Sequence, residues 1–120
     1  MKRKKRVLKF KKGFKSKHNL EFLARPYISP IPSSMQWVQF RVGTCSGIYG
    51  ATPDCYMILA IDNDKPGNGH FEDVLEWFER SCRRDGKNLM FAEILNPKFG
   101  KHLEEVRGFE IEGANAIKRF

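Results

Sequence analysis

One strand–turn–helix junction constrains the fold of this chain more than any other feature. The apolar run from Cys55 to Ile61 leads into a turn over residues 64–69, which contains Gly67 and Gly69, and an amphipathic segment follows directly. Glycines let a backbone approach a ligand closely, and the first N–H groups of a helix point at an anion placed before them. The junction therefore predicts a phosphate-binding turn. An ordinary strand-to-helix connection is the alternative interpretation of the same residues.

The residues after this turn predict a long amphipathic helix. Its apolar positions recur at steps of three and four, and they are Phe71, Val74, Leu75, Phe78 and Cys82. Charged residues fill the other face, with acids early and bases late, as the helix dipole favours. Gly86 marks the expected end of the helix.

Strands are expected before this helix. Short β-rich pieces separated by turn residues are typical of an antiparallel meander, and they cover residues 37–42, 47–51 and 55–62. Ahead of them, residues 19–24 suit a short helix. Three prolines then predict an irregular crossing segment over residues 25–34, because proline fixes φ and removes a hydrogen-bond donor.

A strand, a helix and a hairpin are expected after the long helix. The strand covers residues 88–95, which are rich in buried-type side chains. Asn96 is a good N-cap and Pro97 suits the first helical position, so a second helix should run to about residue 106. Strands over 109–112 and 116–120 close the chain. The predicted fold class is α/β (α+β), with a mixed, mostly antiparallel central sheet flanked by helices.

Length and cysteine content predict one domain with reduced thiols. A chain of 120 residues is long enough for a single core, which we place over residues 18–120, after a basic arm over residues 1–17. Cys45, Cys55 and Cys82 are odd in number and match no zinc spacing, so we interpret them as buried thiols and expect no metal site. No apolar stretch approaches the ~20 residues that span a bilayer. The sequence thus predicts a soluble, cytoplasmic protein without a membrane partner.

Positive charge is concentrated at the start of the chain. Residues 1–25 hold eleven Lys or Arg residues and one acid, whereas residues 26–120 hold eleven bases and thirteen acids. A nearly neutral body with a cationic arm is typical of proteins that touch a polyanion, so we expect nucleic acid or an acidic protein to bind residues 1–17. A solubilising tail, or a first strand over residues 7–10, is the alternative. The expected nucleic-acid-binding residues are Lys2, Arg3, Lys4, Lys5, Arg6, Lys9, Lys11 and Lys12.

The glycine turn and a later motif resemble those of the GCN5-related N-acetyltransferase (GNAT) family. In that family the turn reads Q/R-x-x-G-x-G/A, and here Gly67 and Gly69 match while Asp64 departs from the first position. The family's later pattern, an Asn, a helix and a terminal Gly-Phe, is similar to Asn96 followed by residues 97–109. The resemblance covers residues 37–120.

The resemblance implies an acetyl-CoA site. Its pyrophosphate would lie on the backbone amides of residues 67–69, and its pantetheine in a gap where the family's fourth and fifth strands splay. Lys65 would add a positive charge, and the side chain of His70 would face either the phosphates or solvent. Asp64 would be unfavourable there unless it turns inward to cap the helix. The implied cofactor-binding residues are Ile61, Lys65, Gly67, Asn68, Gly69, His70 and Asn96.

The resemblance also implies direct acetyl transfer to an amine. A backbone N–H near residues 56–60 would polarise the thioester carbonyl. Glu93 is the candidate base, because it is the only acid in the predicted strand and burial would raise its pKa; an exposed edge position is the alternative. Many relatives have a Tyr in the second helix as the acid for the leaving thiolate. This chain has none there, and His102 is the candidate substitute unless it is a solvated surface residue.

Two hypotheses for function remain open. Family members usually have two helices between their first and second strands, and only residues 14–34 are available for them here. The first hypothesis is an N-acetyltransferase whose acceptor pocket is minimal or completed by a second subunit, with a homodimer expected by analogy. The second is a non-catalytic GNAT-like structural or binding protein, held by its arm in a nucleoprotein or viral (phage) assembly. A purely nucleic-acid-binding domain rests on charge alone, because no recognition helix or zinc-finger spacing is present.

Overall fold

The computed structural model of the chain describes residues 8–9, 20–28 and 35–120. These residues form one eight-stranded sheet in the order β1-β2-β3-β4-β5-β6-β8-β7, together with two helices. Along the chain the elements are β1 (Leu8–Lys9), β2 (Leu23–Tyr27), β3 (Trp37–Val42), β4 (Cys45–Ala51), β5 (Cys55–Asn63), α1 (His70–Asp85), β6 (Asn88–Phe91), α2 (Pro97–Arg107), β7 (Glu110–Glu112) and β8 (Asn115–Lys118).

Every pair of neighbouring strands in this sheet is antiparallel except β5 and β6, which are parallel. The parallel pair is connected through α1, as a parallel crossover requires. The prediction of a mixed, mostly antiparallel sheet with helices is therefore confirmed. Of the basic residues expected to bind nucleic acid, only the backbone of Lys9, in β1, lies among the described residues.

Strand β2 corrects the sequence prediction at the start of the domain. The expected helix over residues 19–24 and the irregular segment after it are wrong over residues 23–27, which pair with β3 from Leu23 to Tyr27. Pairing and burial override local propensity here, since Phe22 is only 2% exposed within the core. Among the described residues, β1 pairs only with Leu23 and Ala24, so Pro26 interrupts no described strand pairing on that side of β2.

Helix α1 supplies the centre of the core. Gly69 and Gly86, at its two ends, both have left-handed φ, of 88° and 68°, and the Gly86 N–H donates to the carbonyl of Cys82. The predicted apolar face is buried except for Phe71, which is half-buried. Phe78 lies at the middle of an aromatic cluster with Phe22, Phe40, Tyr49, Tyr56 and Trp77.

Helix α2 begins and ends close to its predicted limits. The side chain of Asn96 accepts a hydrogen bond from the N–H of Lys98 at 2.9 Å, and Pro97 occupies the first turn. Gly108 ends the helix with φ 80°, and its N–H donates to the carbonyl of Leu103. Within the described parts of the chain, neither helix is long and apolar enough to cross a membrane.

All three cysteines are buried and free of disulfides. Cys45 and Cys82 have no exposed surface. Burial raises the pKa of the Cys45 thiol and of the Cys82 thiol to about 12. The negative charge of Asp62 adds to this rise at Cys45, and that of Glu79 adds to it at Cys82. The two groups are therefore protonated at neutral pH and pack as small apolar side chains.

Candidate functional site

A cleft opens where β5 and β6 separate. The two strands pair only from Cys55 to Ile58, and the last contact is the Ala92 N–H donating to the Ile58 carbonyl at 2.9 Å. Beyond this point β5 continues to Asn63, paired with β4 alone among the described residues. A β-bulge adds to the divergence, because Ile48 and Tyr49 of β4 pair with Ala60 and Ile58, which leaves Leu59 as an extra residue.

The cleft has a volume of about 620 Å³, within the range of small-molecule sites. One wall is residues 58–63 of β5 and the opposite wall is residues 91–96. Pro66 and Gly67 of the glycine turn line it, together with Phe71 of α1 and with Phe99 and His102 of α2. Among these described lining residues, Asp62 and Glu93 carry carboxylates and none is Lys or Arg.

The cleft brings together residues that are distant in the sequence. Of the expected cofactor-binding residues, Ile61, Gly67 and Asn96 line it, and so do both candidate catalytic residues, Glu93 and His102. Lys65 is exposed in the glycine turn next to the cleft, and Asn68, Gly69 and His70 follow it at the start of α1. The Asn96 side chain caps α2, so its oxygen is already engaged.

The glycine turn has the geometry of a backbone that a ligand can approach. Gly67 and Gly69 have φ of 90° and 88°, which L-residues adopt only with strain. A Cβ atom added to Gly67 would meet no heavy atom within 4 Å, so the space above this glycine is open. Both glycines are thus needed for the left-handed backbone conformation of the turn, and Gly67 also faces open space.

A polar network holds the glycine turn against the tip of the β3–β4 hairpin. Asn68 Nδ2 donates to Thr44 Oγ1 at 2.7 Å, and Asn68 Oδ1 accepts from the His70 N–H at 3.0 Å. The Thr44 N–H donates to His70 Nδ1 at 3.0 Å, and Thr44 Oγ1 donates to Asn63 Oδ1 at 2.7 Å. The side chains of Asn68 and His70 therefore organise the turn, and His70 is half-buried with Nδ1 directed at Thr44 rather than at solvent.

The same network explains how the chain accommodates Asp64. Its side chain is exposed, and its backbone N–H donates to the Thr44 carbonyl at 3.0 Å. The side-chain oxygen that accepts from the first helical N–H belongs to Asn68 instead. Thr44 and Asn63 had no motif to mark them in the sequence, because their partners lie up to 26 residues away.

Glu93 does not lie where the sequence predicted it. Strand β6 ends at Phe91 rather than at Leu95, and Glu93 is exposed, with a left-handed φ of 56°. Its N–H donates to Asn115 Oδ1 at 3.0 Å, and the next N–H, of Ile94, donates to the Ala114 carbonyl at 2.7 Å. The prediction of a buried carboxyl within a strand is therefore wrong, because the chain leaves the sheet to reach the β7–β8 turn. Glu93 nevertheless lines the cleft.

His102 is packed between the two helices at the edge of the cleft. Its ring centroid lies 6.5 Å from that of Phe71, and its Nε2 accepts a hydrogen bond from Arg107 Nε at 3.3 Å. Arg107 Nη2 in turn donates to Glu72 Oε2 at 2.9 Å. His102 is thus half-buried rather than a solvated residue of the outer helix face. Arg107 was not singled out from the sequence.

The charge pattern near the glycine turn follows from these contacts. Glu72 lies in the first turn of α1, where a carboxylate would repel an anion, but its ion pair with Arg107 offsets that charge. Lys65 remains exposed in the turn itself. The site is therefore an apolar cleft with two carboxylates along its walls, one histidine on α2 and a glycine turn at one end. Comparison of the chain with family models, with curated proteins and with solved structures found no match.

Proposed function

We propose that this protein is an N-acyltransferase of the GNAT type, which moves an acetyl group from acetyl-CoA to an amine. The observation that carries the proposal is that β5 separates from β6 beyond Ile58. Strand β5 is also the strand that leads into the glycine turn. The family resemblance requires a gap between these two strands and a glycine turn at its end. Both features occur here around one cleft.

The described residues fit the chemistry of an acyl-CoA. Backbone N–H groups around Gly67 and Gly69 would hold the pyrophosphate, supported by Lys65 and by the N-terminal end of α1. The edge of β5 from Leu59 to Ile61, which has no strand partner on the cleft side among the described residues, would offer main-chain groups to the amides of the pantetheine. Apolar side chains from β5 and α2 would cover its methylene groups.

The residues of the cleft suit a direct transfer. Acetyl-CoA supplies the activated acyl group, and an amine nitrogen forms the new C–N bond while the C–S bond breaks. Glu93 would accept the proton that the amine loses, as a carboxylate placed in the cleft rather than as a buried one. A backbone N–H of β5 near the bulge at Leu59 would stabilise the negative charge that develops on the carbonyl oxygen.

The acceptor side of the proposed site is small. Because β5 corresponds to the family's fourth strand, β2 and β3 correspond to its first and second strands. Only nine residues, from Ile28 to Gln36, connect β2 to β3. Two helices of ordinary length do not fit in nine residues. The acceptor pocket is therefore formed by few residues of this chain or is completed by a second subunit.

Calorimetry with acetyl-CoA tests the proposal. We expect saturable binding with one site per chain, and release of free CoA when primary amines are added. No heat at millimolar acetyl-CoA would contradict the assignment of the cleft. Saturable binding without turnover of any amine would instead favour the non-catalytic GNAT-like binding protein, which keeps the site and lacks the reaction.

We further propose that residues 1–17 dock the protein onto nucleic acid. Support comes from the eleven bases and one acid of residues 1–25, beside a body that carries a slight excess of acids. Replacement of Lys2, Arg3, Lys4, Lys5, Arg6, Lys11 and Lys12 with glutamine, which keeps strand β1, is expected to abolish binding to duplex DNA and RNA, measured by fluorescence anisotropy at several salt concentrations, because the phosphate contacts would be lost. Binding of acetyl-CoA should be unchanged. Equal nucleic-acid affinity in the substituted and wild-type proteins would contradict this role.

A further inference from the structure

A chain of three polar side chains connects the start of α1 to the cleft. Glu72 Oε2 accepts from Arg107 Nη2 at 2.9 Å, and Arg107 Nε donates to His102 Nε2 at 3.3 Å. Glu72 belongs to the first turn of α1, and Arg107 is the last residue of α2. His102 is the member of this chain that lines the cleft.

The direction of each hydrogen bond in this chain is fixed. A guanidinium group carries only donors and stays protonated in proteins, so Arg107 cannot accept a hydrogen bond from the imidazole. His102 Nε2 must therefore present its lone pair to Arg107. A proton on Nε2 would place two N–H donors against each other.

We propose that Arg107 fixes the tautomer of His102, with Nε2 accepting from the guanidinium and the ring proton on Nδ1, so that His102 is a hydrogen-bond donor to the ligand in the cleft and not an acid. Glu72 is a second positioning residue, because it accepts from the outer nitrogen of the guanidinium and fixes its orientation. The part of this inference that concerns the ligand rests on the proposed acyl transfer. The tautomer of His102 does not depend on that proposal.

The chemical consequence is specific. An imidazole whose Nε2 is occupied and whose only proton is on Nδ1 would become an imidazolate if it gave that proton away, so it does not transfer it. It stabilises by donation the negative charge that grows on the thioester oxygen or on the departing sulfur. The proton that finally neutralises the thiolate then comes from water, whereas a side-chain acid would deliver its own.

The tautomer can be measured directly in the full-length protein without any ligand. Long-range proton–nitrogen correlation spectra of protein labelled with ¹⁵N-histidine distinguish a proton on Nδ1 from a proton on Nε2. At neutral pH we expect the Nδ1–H pattern for His102, assigned by its loss in His102→Gln. His70 is an internal control, because its Nδ1 accepts from the Thr44 N–H and its proton must lie on Nε2. A proton on Nε2 of His102 in the wild-type protein would overturn the proposal.

Variants of Arg107 test its positioning role. Arg107→Met should remove the Nδ1–H pattern of His102, because Nε2 is then free to carry a proton, and should leave the pattern of His70 unchanged. An unchanged His102 pattern in this variant would overturn the role of Arg107. If Arg107→Met does not fold, the wild-type spectrum still decides, because the proposal requires the Nδ1–H form there.

Kinetics then separate a donor from a merely structural residue. His102→Asn keeps an N–H donor near the original position, and His102→Leu keeps only bulk. We expect kcat to fall by roughly a hundredfold in the leucine variant, the usual effect of losing one donor to a developing oxyanion, and by clearly less in the asparagine variant. Equal kcat in the two variants would overturn the donor role. Absence of any turnover in the wild-type protein would refute the transferase and leave the tautomer result standing.

Discussion

Gly67→Glu is expected to abolish the rise in melting temperature that acetyl-CoA gives to the wild-type protein. A ligand at a hundred times its Kd stabilises the native state by about 2.7 kcal/mol, which is on the order of 10 °C for a domain of this size. The glutamate would place a carboxylate in the open space above the turn, where the proposal puts a diphosphate. Repulsion between these anions, and the side chain's bulk, should reduce the shift to zero. Differential scanning fluorimetry measures it.

Gly113→Glu is the matched control for this variant. Gly113 also has a left-handed φ, of 63°, and a Cβ added there also meets nothing within 4 Å. It lies in the β7–β8 turn and does not line the cleft. Both variants introduce the same charge and strain of about 1–2 kcal/mol, so both should lower the melting temperature without ligand. Only Gly113→Glu should retain the shift, and equal behaviour of the two variants would contradict the assignment of the turn.

Gly47→Ala is expected to destabilise the domain by about 3 kcal/mol, a large effect for one methyl group. The new Cβ would lie 2.2 Å from the Ala60 carbonyl oxygen and 2.8 Å from Phe40 Cζ. Because the nearest atom belongs to the backbone of β5, relief requires that the two strands move apart. Gly47 pairs with Ile61 beside the bulge, so this movement would displace the wall of the cleft. Urea unfolding curves measure the loss.

Gly100→Ala should have the opposite effect on stability. Gly100 lies within α2, and the nearest heavy atom to its added Cβ is Ile94 Cγ2 at 3.7 Å, an ordinary van der Waals contact. Alanine lowers the conformational entropy of the unfolded chain, so we expect a gain of about 0.5–1 kcal/mol. A Gly47→Ala protein as stable as the wild type would show that β4 and β5 do not approach as closely as described.

Local patterns in the sequence were sufficient for the elements whose signals are themselves local. The period of the apolar residues between Phe71 and Cys82 predicted α1, and Asn96 with Pro97 predicted the start of α2. Strand β2 was missed because its signal is not local. Pro26 within it, with Pro30 and Pro32 after it, argues against regular structure, and only pairing with β3 and burial of Phe22 reveal a strand.

The candidate site was predictable in part for the same reason. Gly67 and Gly69 predict a turn by residue type alone. The environment of Glu93, in contrast, depends on where the chain leaves β6. The letters Ile94 and Leu95 look like a continuing strand, yet Leu95 is 92% exposed. The neighbours of His102 in the sequence are charged, and its packing comes from Phe71 and Arg107, which the helix geometry brings to it.

The bond between the Thr44 N–H and His70 has a consequence for motion in the native state. That amide can exchange its hydrogen with solvent only when the imidazole releases it, so the hairpin tip and the glycine turn should open together as one cooperative unit. A molecule that rigidifies the turn would then slow isotope exchange at Thr44, although Thr44 does not line the cleft. Hydrogen exchange at the Thr44 amide would therefore report whether a ligand occupies the cleft.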